Sequence, residues 1–383
     1  MKSWTVALIA LLLAACATTP PPPPTDGLLH DQLFAAPSMR ISADDVFALN
    51  DSMRRFLRVD IADELNFKGV RQGLFDALYS RGQLQLEYET RMTRNAAEAF
   101  AARSGNCLSL VIMTAAFAKE LSLPVKFQSA MASEIWSRDG NIQYYIGHVN
   151  LTLGARSMDV MFGRAATDQL TIDFLPPQET RGMSTRLIDE KTIVAMYMNN
   201  RAAESFSMGK LDDAYGWARA AILHNPAFLN SYNTLGIIYQ RHGNLPEAAA
   251  VLEHALALDP ANTKVMANLV SVLTASGRTT DAVALTAKLD RLEPNPPFAY
   301  LNRGMTALRS GDYRSAREQF AKEIARAPYN DELHYWLAVA YAGLGENGQA
   351  RIELAKALEY STTRKDHDLY AAKLERIRMG QVR

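Results

Sequence analysis

The sequence predicts an α+β domain over residues 30–190 followed by an all-α solenoid of paired helices over residues 191–383. Three observations lead there. Glycine, alanine and proline recur every 34 residues through the second half, the mark of stacked helical pairs. An apolar run at helical spacing, opened by Gly105-Asn106-Cys107 and stopped by Pro124, precedes segments that alternate apolar and polar residues as strands do. Ahead of both units, the first 29 residues hold an apolar leader and five consecutive prolines, a pattern that forms no core.

Residues 1–15 read as a signal peptide: Lys2, an apolar stretch and a small-residue end, too short for an ordinary membrane span. Leu13-Ala14-Ala15-Cys16 resembles the bacterial lipobox. That resemblance implies cleavage before Cys16 and lipid on its thiol and new amino group. Ala17 rather than aspartate follows, which in the enterobacterial sorting pattern implies an outer-membrane anchor facing the periplasm. Residues 16–29 are then a lipidated cysteine and a linker, with Pro20 to Pro24 as a semi-rigid polyproline II spacer.

The 41 basic and 41 acidic residues cancel, and no basic block or aromatic–basic stripe asks for nucleic acid. The chain has two cysteines. With Cys16 lipidated, Cys107 has no partner for an internal disulfide, although the compartment is oxidising.

In the first folded unit, residues 42–57, 65–79 and 93–103 carry apolar residues at helical spacing, among them Val46, Met53, Leu74, Leu78, Ala96 and Phe100. These are core faces. The helix from Cys107 follows, with Ser104 and Asn106 as N-cap types. Residues 125–128 alternate, Asp139-Gly140 signals a hairpin, residues 142–153 and 158–162 give two more strands, and Pro176-Pro177 and Gly182 mark residues 163–190 as irregular connection.

Cys107 falls in the first helical turn, where unpaired backbone N–H groups and the helix dipole favour a thiolate. The same position suits a small buried apolar residue. A nucleophile needs a base, and the base gains from an acid that fixes its tautomer. Between residues 31 and 190 there is one cysteine and one histidine, His148, in the second strand. Asp159, early in the third strand, is the expected acid; Asp173 is a rival that lies far beyond that strand. The spacings of 41 and 11 residues do not match a zinc site, and neither a metal nor a cofactor is expected.

Residues 103–162 resemble the transglutaminase-like cysteine superfamily, through Gly105-Asn106-Cys107 at a helix start, Leu123-Pro124-Val125 after it, Gly147-His148-Val149-Asn150 in a strand and Met158-Asp159-Val160 in the next. The resemblance implies Cys107 as nucleophile, His148 as general base and acid, and Asp159 as the residue that orients it. Members of that superfamily include peptidases, amidases and acyl transferases, and some have lost activity.

In the second unit, Pro226, Pro260, Pro294 and Pro328 keep the 34-residue period, as do Gly209, Gly243, Gly277, Gly311 and Gly345. The best copy runs Tyr232, Leu235-Gly236, Tyr239, Ala248, Leu252, Ala255, Pro260. This is the tetratricopeptide repeat pattern. It predicts five repeats over about 195–362 and a capping helix over 366–379, with Ala202, Gly236, Gly304 and Ala338 letting helices approach closely. Such arrays stack into a superhelix whose concave face takes a peptide or partner protein; Asn200, Asn233, Asn268 and Asn302 are candidates to line it. Two functions stay open. One is a lipid-anchored cysteine enzyme that acts on an amide or peptide bond and recruits its protein or peptide through the repeats. The other is a non-catalytic envelope assembly or scaffold protein.

Overall fold

A computed structural model describes residues 25, 27–79, 87–88, 92–139, 142–156, 161, 169–174, 184–361 and 364–378. The leader, Cys16 and the proline run lie outside those residues, as does the expected strand over 158–162 apart from Met161, and Asp159 with it.

The first unit opens with short helices: α1 (Asp51–Arg55), continued by a π turn (Phe56–Asp60), α2 (Ala62–Lys68), α3 (Val70–Tyr79) and α4 (Ala96–Ala102). Two helices expected from periodicity are shorter than that pattern. Residues 42–50 are not helical, because Asn50 caps α1 by accepting from the Met53 N–H. The stretch 65–79 breaks at Gly69, whose φ of 80° is outside the helical range.

Helix α5 (Cys107–Glu120) starts where the sequence predicts. Asn106 is the cap, its side chain accepting from the Ser109 N–H, and every residue from Cys107 to Ala118 is buried. A helix apolar on all sides must be covered on all sides. Strands β1 (Val125–Asp139) and β2 (Ile142–Leu153) form an antiparallel hairpin against it, with Ala130 opposite His148.

The stretch expected to be irregular supplies the rest of the sheet. Strand β3 (Leu170–Ile172) pairs with β2, and β4 (Ser184–Ile188) pairs with β1, giving the order β3-β2-β1-β4. Leu170, Ile172 and Phe174 alternate with polar residues, but three residues are too short a window for the period to stand out.

Five helix pairs follow: α6 (Glu190–Ser207) with α7 (Leu211–His224), α8 (Leu229–His242) with α9 (Leu245–Leu258), α10 (Thr263–Ala275) with α11 (Thr279–Leu292), α12 (Ala299–Arg309) with α13 (Tyr313–Ile324), and α14 (Asp331–Gly343) with α15 (Asn347–Tyr360). Helix α16 (Arg364–Arg378) closes the stack. The five periodic glycines all have positive φ, from 73° to 95°. The period in the sequence is therefore a left-handed turn repeated between the helices of each pair. Among the described residues no helix is long and apolar enough to cross a membrane.

The N-terminal segment packs on the repeats. The Tyr239 hydroxyl donates to the Leu28 carbonyl and accepts from the His30 N–H, each at 3.0 Å. Asp31 accepts from Tyr215 and Arg219, both at 2.7 Å, and Phe34 stacks on Tyr215. One apolar core consequently runs from Leu28 to Ala282, through the first unit and three repeats.

That core ends between α11 and α12. These two helices barely touch, whereas every other consecutive pair in the array packs extensively. Pro294, Pro296 and Pro297 occupy the connection, and Val283 and Leu292 stay exposed on α11. A separate cluster starts at Phe298. In a one-dimensional array, stability is carried by neighbour interfaces. Hydrogen exchange should therefore report two cooperative blocks, with α12–α16 opening at a lower free energy than α6–α10. A single exchange free energy for all helices would contradict the break.

Gly236 marks a close approach inside the continuous core. A Cβ there would lie 2.6 Å from Cγ of Leu252, which is fully buried. Alanine gains about 1 kcal/mol of helix propensity over glycine, but overpacking of a filled core costs about 1–3 kcal/mol. Gly236→Ala is expected to lower the urea midpoint, and an unchanged or raised midpoint would show that Leu252 can move aside.

Candidate functional site

Strand β2 sets the geometry. His148 and Asn150 are two residues apart, so their side chains share a face. The β2–β3 register pairs Leu151 with Ile172, and its continuation puts Asp173 across from Asn150. Both side chains meet that carboxylate. Nε2–H of His148 donates to Oδ1 of Asp173 at 2.7 Å, and Nδ2–H of Asn150 donates to Oδ2 at 2.8 Å. Next to Asp173, the Phe174 ring packs on Tyr79 at 5.3 Å, and the Tyr79 hydroxyl bonds Thr114 inside α5. The acid is thereby held from β2, and its neighbour Phe174 from α3, which is tied in turn to the buried helix.

Cys107 lies beside the imidazole, near enough to interact with it. With Nε2 held by Asp173, Nδ1 is the nitrogen left for the sulfur. Cys107 is 4% exposed and His148 2%, while the Asp173 side chain is 21% exposed. Burial works against a charged imidazole. The hydrogen bonds to Asp173 and Cys107, and attraction to their charges, outweigh it, so His148 is pushed up to about 9.

Cys107 and His148 lie together in the structure, and the carboxylate that meets the imidazole is that of Asp173. Asp159 lies outside the described residues. The sequence missed Asn150 as a contact of the acid and set Asp173 aside for its distance from the strand after His148. The local trace of it, the apolar–polar alternation of Leu170-Thr171-Ile172-Asp173-Phe174, is too short to mark a strand by itself. Among the described residues no group of three or more His, Cys, Asp or Glu is placed to hold a metal ion.

The loop before Cys107 is held by α6, the first repeat helix. Thr93 is 1% exposed. Its hydroxyl oxygen accepts from Nδ2–H of Asn106 at 2.9 Å and of Asn200 at 3.2 Å. Its N–H donates to Glu204 at 2.7 Å, and its carbonyl accepts from Arg201 at 3.1 Å. Burial holds the Glu204 carboxyl above the usual carboxylate range, against the pull of these hydrogen bonds. Asn200 is therefore turned to the first unit. Of the other asparagines expected on a binding face, Asn268 donates to Asn233 at 2.8 Å and Asn302 is exposed.

Two family models described as tetratricopeptide repeat match the chain, over residues 239–302 and 301–365; neither reaches residues 30–190. A curated relative, the Hsp70-Hsp90 organizing protein of Triticum aestivum, is 35% identical over 98 residues. The match covers 26% of this chain and 17% of that protein, so the chain spans under a fifth of that relative's length. Similar solved structures include TTC0263, a thermophilic TPR protein of Thermus thermophilus, at 20% identity over 47% of this chain and 98% of that one, with a TM-score of 0.30. The pilF protein of Pseudomonas aeruginosa is 17% identical over 50% and 95% of the two chains, with a TM-score of 0.29. YrrB, described as a TPR protein with an unusual peptide-binding site, is 24% identical over 47% and 92%, with a TM-score of 0.26.

The raised His148 makes folding pH-dependent. Its stabilisation is complete below the unfolded value of about 6.5 and is lost as pH rises through about 9. The stability of the wild-type chain is expected to fall over that window by up to about 3 kcal/mol, and Asp173→Asn should flatten the fall. Denaturant titrations at pH 6, 7.5 and 9.5 measure it; parallel curves for both chains would mean that Asp173 does not hold the imidazolium.

Proposed function

We propose that this chain, whose C-terminal half is a tetratricopeptide repeat array, is a cysteine enzyme of transglutaminase-like type that acts on an amide or peptide bond of a protein or peptide held by the repeats. The observation that carries this reading is the buried Cys107 beside the buried His148, whose ring is held by the part-exposed Asp173. In it, His148 takes the thiol proton and the sulfur attacks the carbonyl carbon. The C–N bond breaks, the amine leaves with the proton from His148, and a thioester on Cys107 remains. Water or a second amine, deprotonated by His148, then attacks the thioester and frees the thiol. The backbone N–H of Cys107, at the start of α5, is a candidate donor to the oxyanion. The lipobox resemblance at Cys16 supports a tether at the outer membrane, facing the periplasm.

A second reading, an envelope scaffold that binds partners through the repeats and performs no chemistry, is favoured by two observations. The sulfur is almost wholly covered, and the family models match the repeats alone.

Alkylation of Cys107 by iodoacetamide across pH separates the two. An ordinary thiol titrates near 8.5 and so loses about a hundredfold in rate between its plateau and pH 6.5. The enzyme reading expects a rate that stays close to plateau at pH 6.5, an ordinary profile for His148→Ala, and an intermediate one for Asp173→Asn. A wild-type chain that already follows the ordinary profile, or does not react until unfolded, leaves the scaffold.

A further inference from the structure

The geometry points to Thr93 as a positioning residue for Cys107, one that is held by the first repeat helix and so makes the repeat array part of the scaffold of the thiol. This rests on the reading of Cys107 as a nucleophile. Asn106 is the only residue between the Gly105 turn and the cysteine, and it caps α5. Both ends of its side-chain amide are fixed. Its Oδ1 accepts from the N–H and hydroxyl of Ser109, at 2.9 and 2.8 Å, and its Nδ2–H is taken by Thr93. Rotation of the amide would release the Ser109 N–H and loosen the first turn, the turn that aims the sulfur at His148. The Thr93 hydroxyl holds the amide in place together with the two Ser109 bonds.

That hydroxyl is held in its turn. Thr93 lies on no regular element, and its backbone bonds are made to Arg201 and Glu204 and its second side-chain bond to Asn200, all on α6. At the far end of α5, Lys119 pairs with Glu190 on α6 at 2.6 Å. Helix α6 thus runs antiparallel beside the cysteine helix and grips it at both ends. A movement of the first repeat against the rest of the array, such as partner binding could cause, reaches the sulfur through Asn200, Thr93 and Asn106. Small misplacements of a reacting atom cost large factors in rate.

The test uses the full chain and the same alkylation profile, with thermal melting to confirm folding. Thr93→Val keeps the shape and removes the hydroxyl; Thr93→Ser keeps the hydroxyl. At pH 6.5, Thr93→Val is expected to alkylate about tenfold more slowly than wild type, a factor in the range of one lost buried hydrogen bond. Thr93→Ser should stay near the wild-type rate. Asn200→Ala, which leaves Thr93 bonded to Asn106, should fall between them, and it serves as the second variant if Thr93→Val does not fold. Equal profiles for wild type, Thr93→Val and Asn200→Ala would overturn the proposal while leaving the site intact. Equal losses in Thr93→Val and Thr93→Ser would also overturn it, since packing and not the hydroxyl would then be responsible. An ordinary thiol profile in the wild-type chain would remove the nucleophile reading, and this proposal with it.

Discussion

The contact between α5 and α6 is the constraint on which the rest of the molecule depends. Helix α5 is apolar on every side, so it is stable only where other elements cover it completely. The hairpin of β1 and β2 covers part of it, the short N-terminal helices another part, and α6 the remainder. Helix α6 is also the first helix of the repeats. The two units therefore share one element and one apolar core, which continues unbroken to Ala282. A repeat helix cannot bury its apolar face alone, and here the first repeat finds its neighbour in the cysteine helix.

This sharing explains the polar groups at the seam. A loop pressed between two units has backbone N–H and C=O groups that water no longer satisfies, and each needs a partner. Thr93 meets that requirement with Glu204 and Arg201. At the other end of the site Asn150, itself buried, gives its side-chain N–H to the second oxygen of Asp173, whose first is taken by the imidazole. Polar residues that look unremarkable in sequence become fixed points once the elements around them close.

Away from the seam the array becomes less unified. The three prolines between α11 and α12 set the fourth repeat away from the third, and the apolar face of α11 is left partly exposed. The fourth and fifth repeats compensate internally. Glu323, fully buried, accepts from the N–H groups of Tyr300 and Leu301 at the start of α12, and His334 bridges Glu353 and the Pro328 carbonyl. These contacts tie helices within the C-terminal block and leave the junction with α11 thin.

The sequence by itself determined what depends on local spacing. The 34-residue period determined the helix pairs, because a left-handed turn recurs at each of the five periodic glycines. The apolar run after Asn106 determined α5, because a capped buried helix is written in contiguous residues. Cys107 and His148 could be chosen because residues 31–190 hold one thiol and one imidazole. The tertiary structure alone decided which acid meets the imidazole. Asp173 is 25 residues from His148, and only the pairing of β3 with β2 brings it across the sheet; a three-residue strand is too short to announce itself by period. It alone decided the position of Thr93 as well, since Asn200, Arg201 and Glu204 lie more than a hundred residues further on. Periodicity records which face of an element is buried. It does not record what that face is buried against, and the site is made of such contacts.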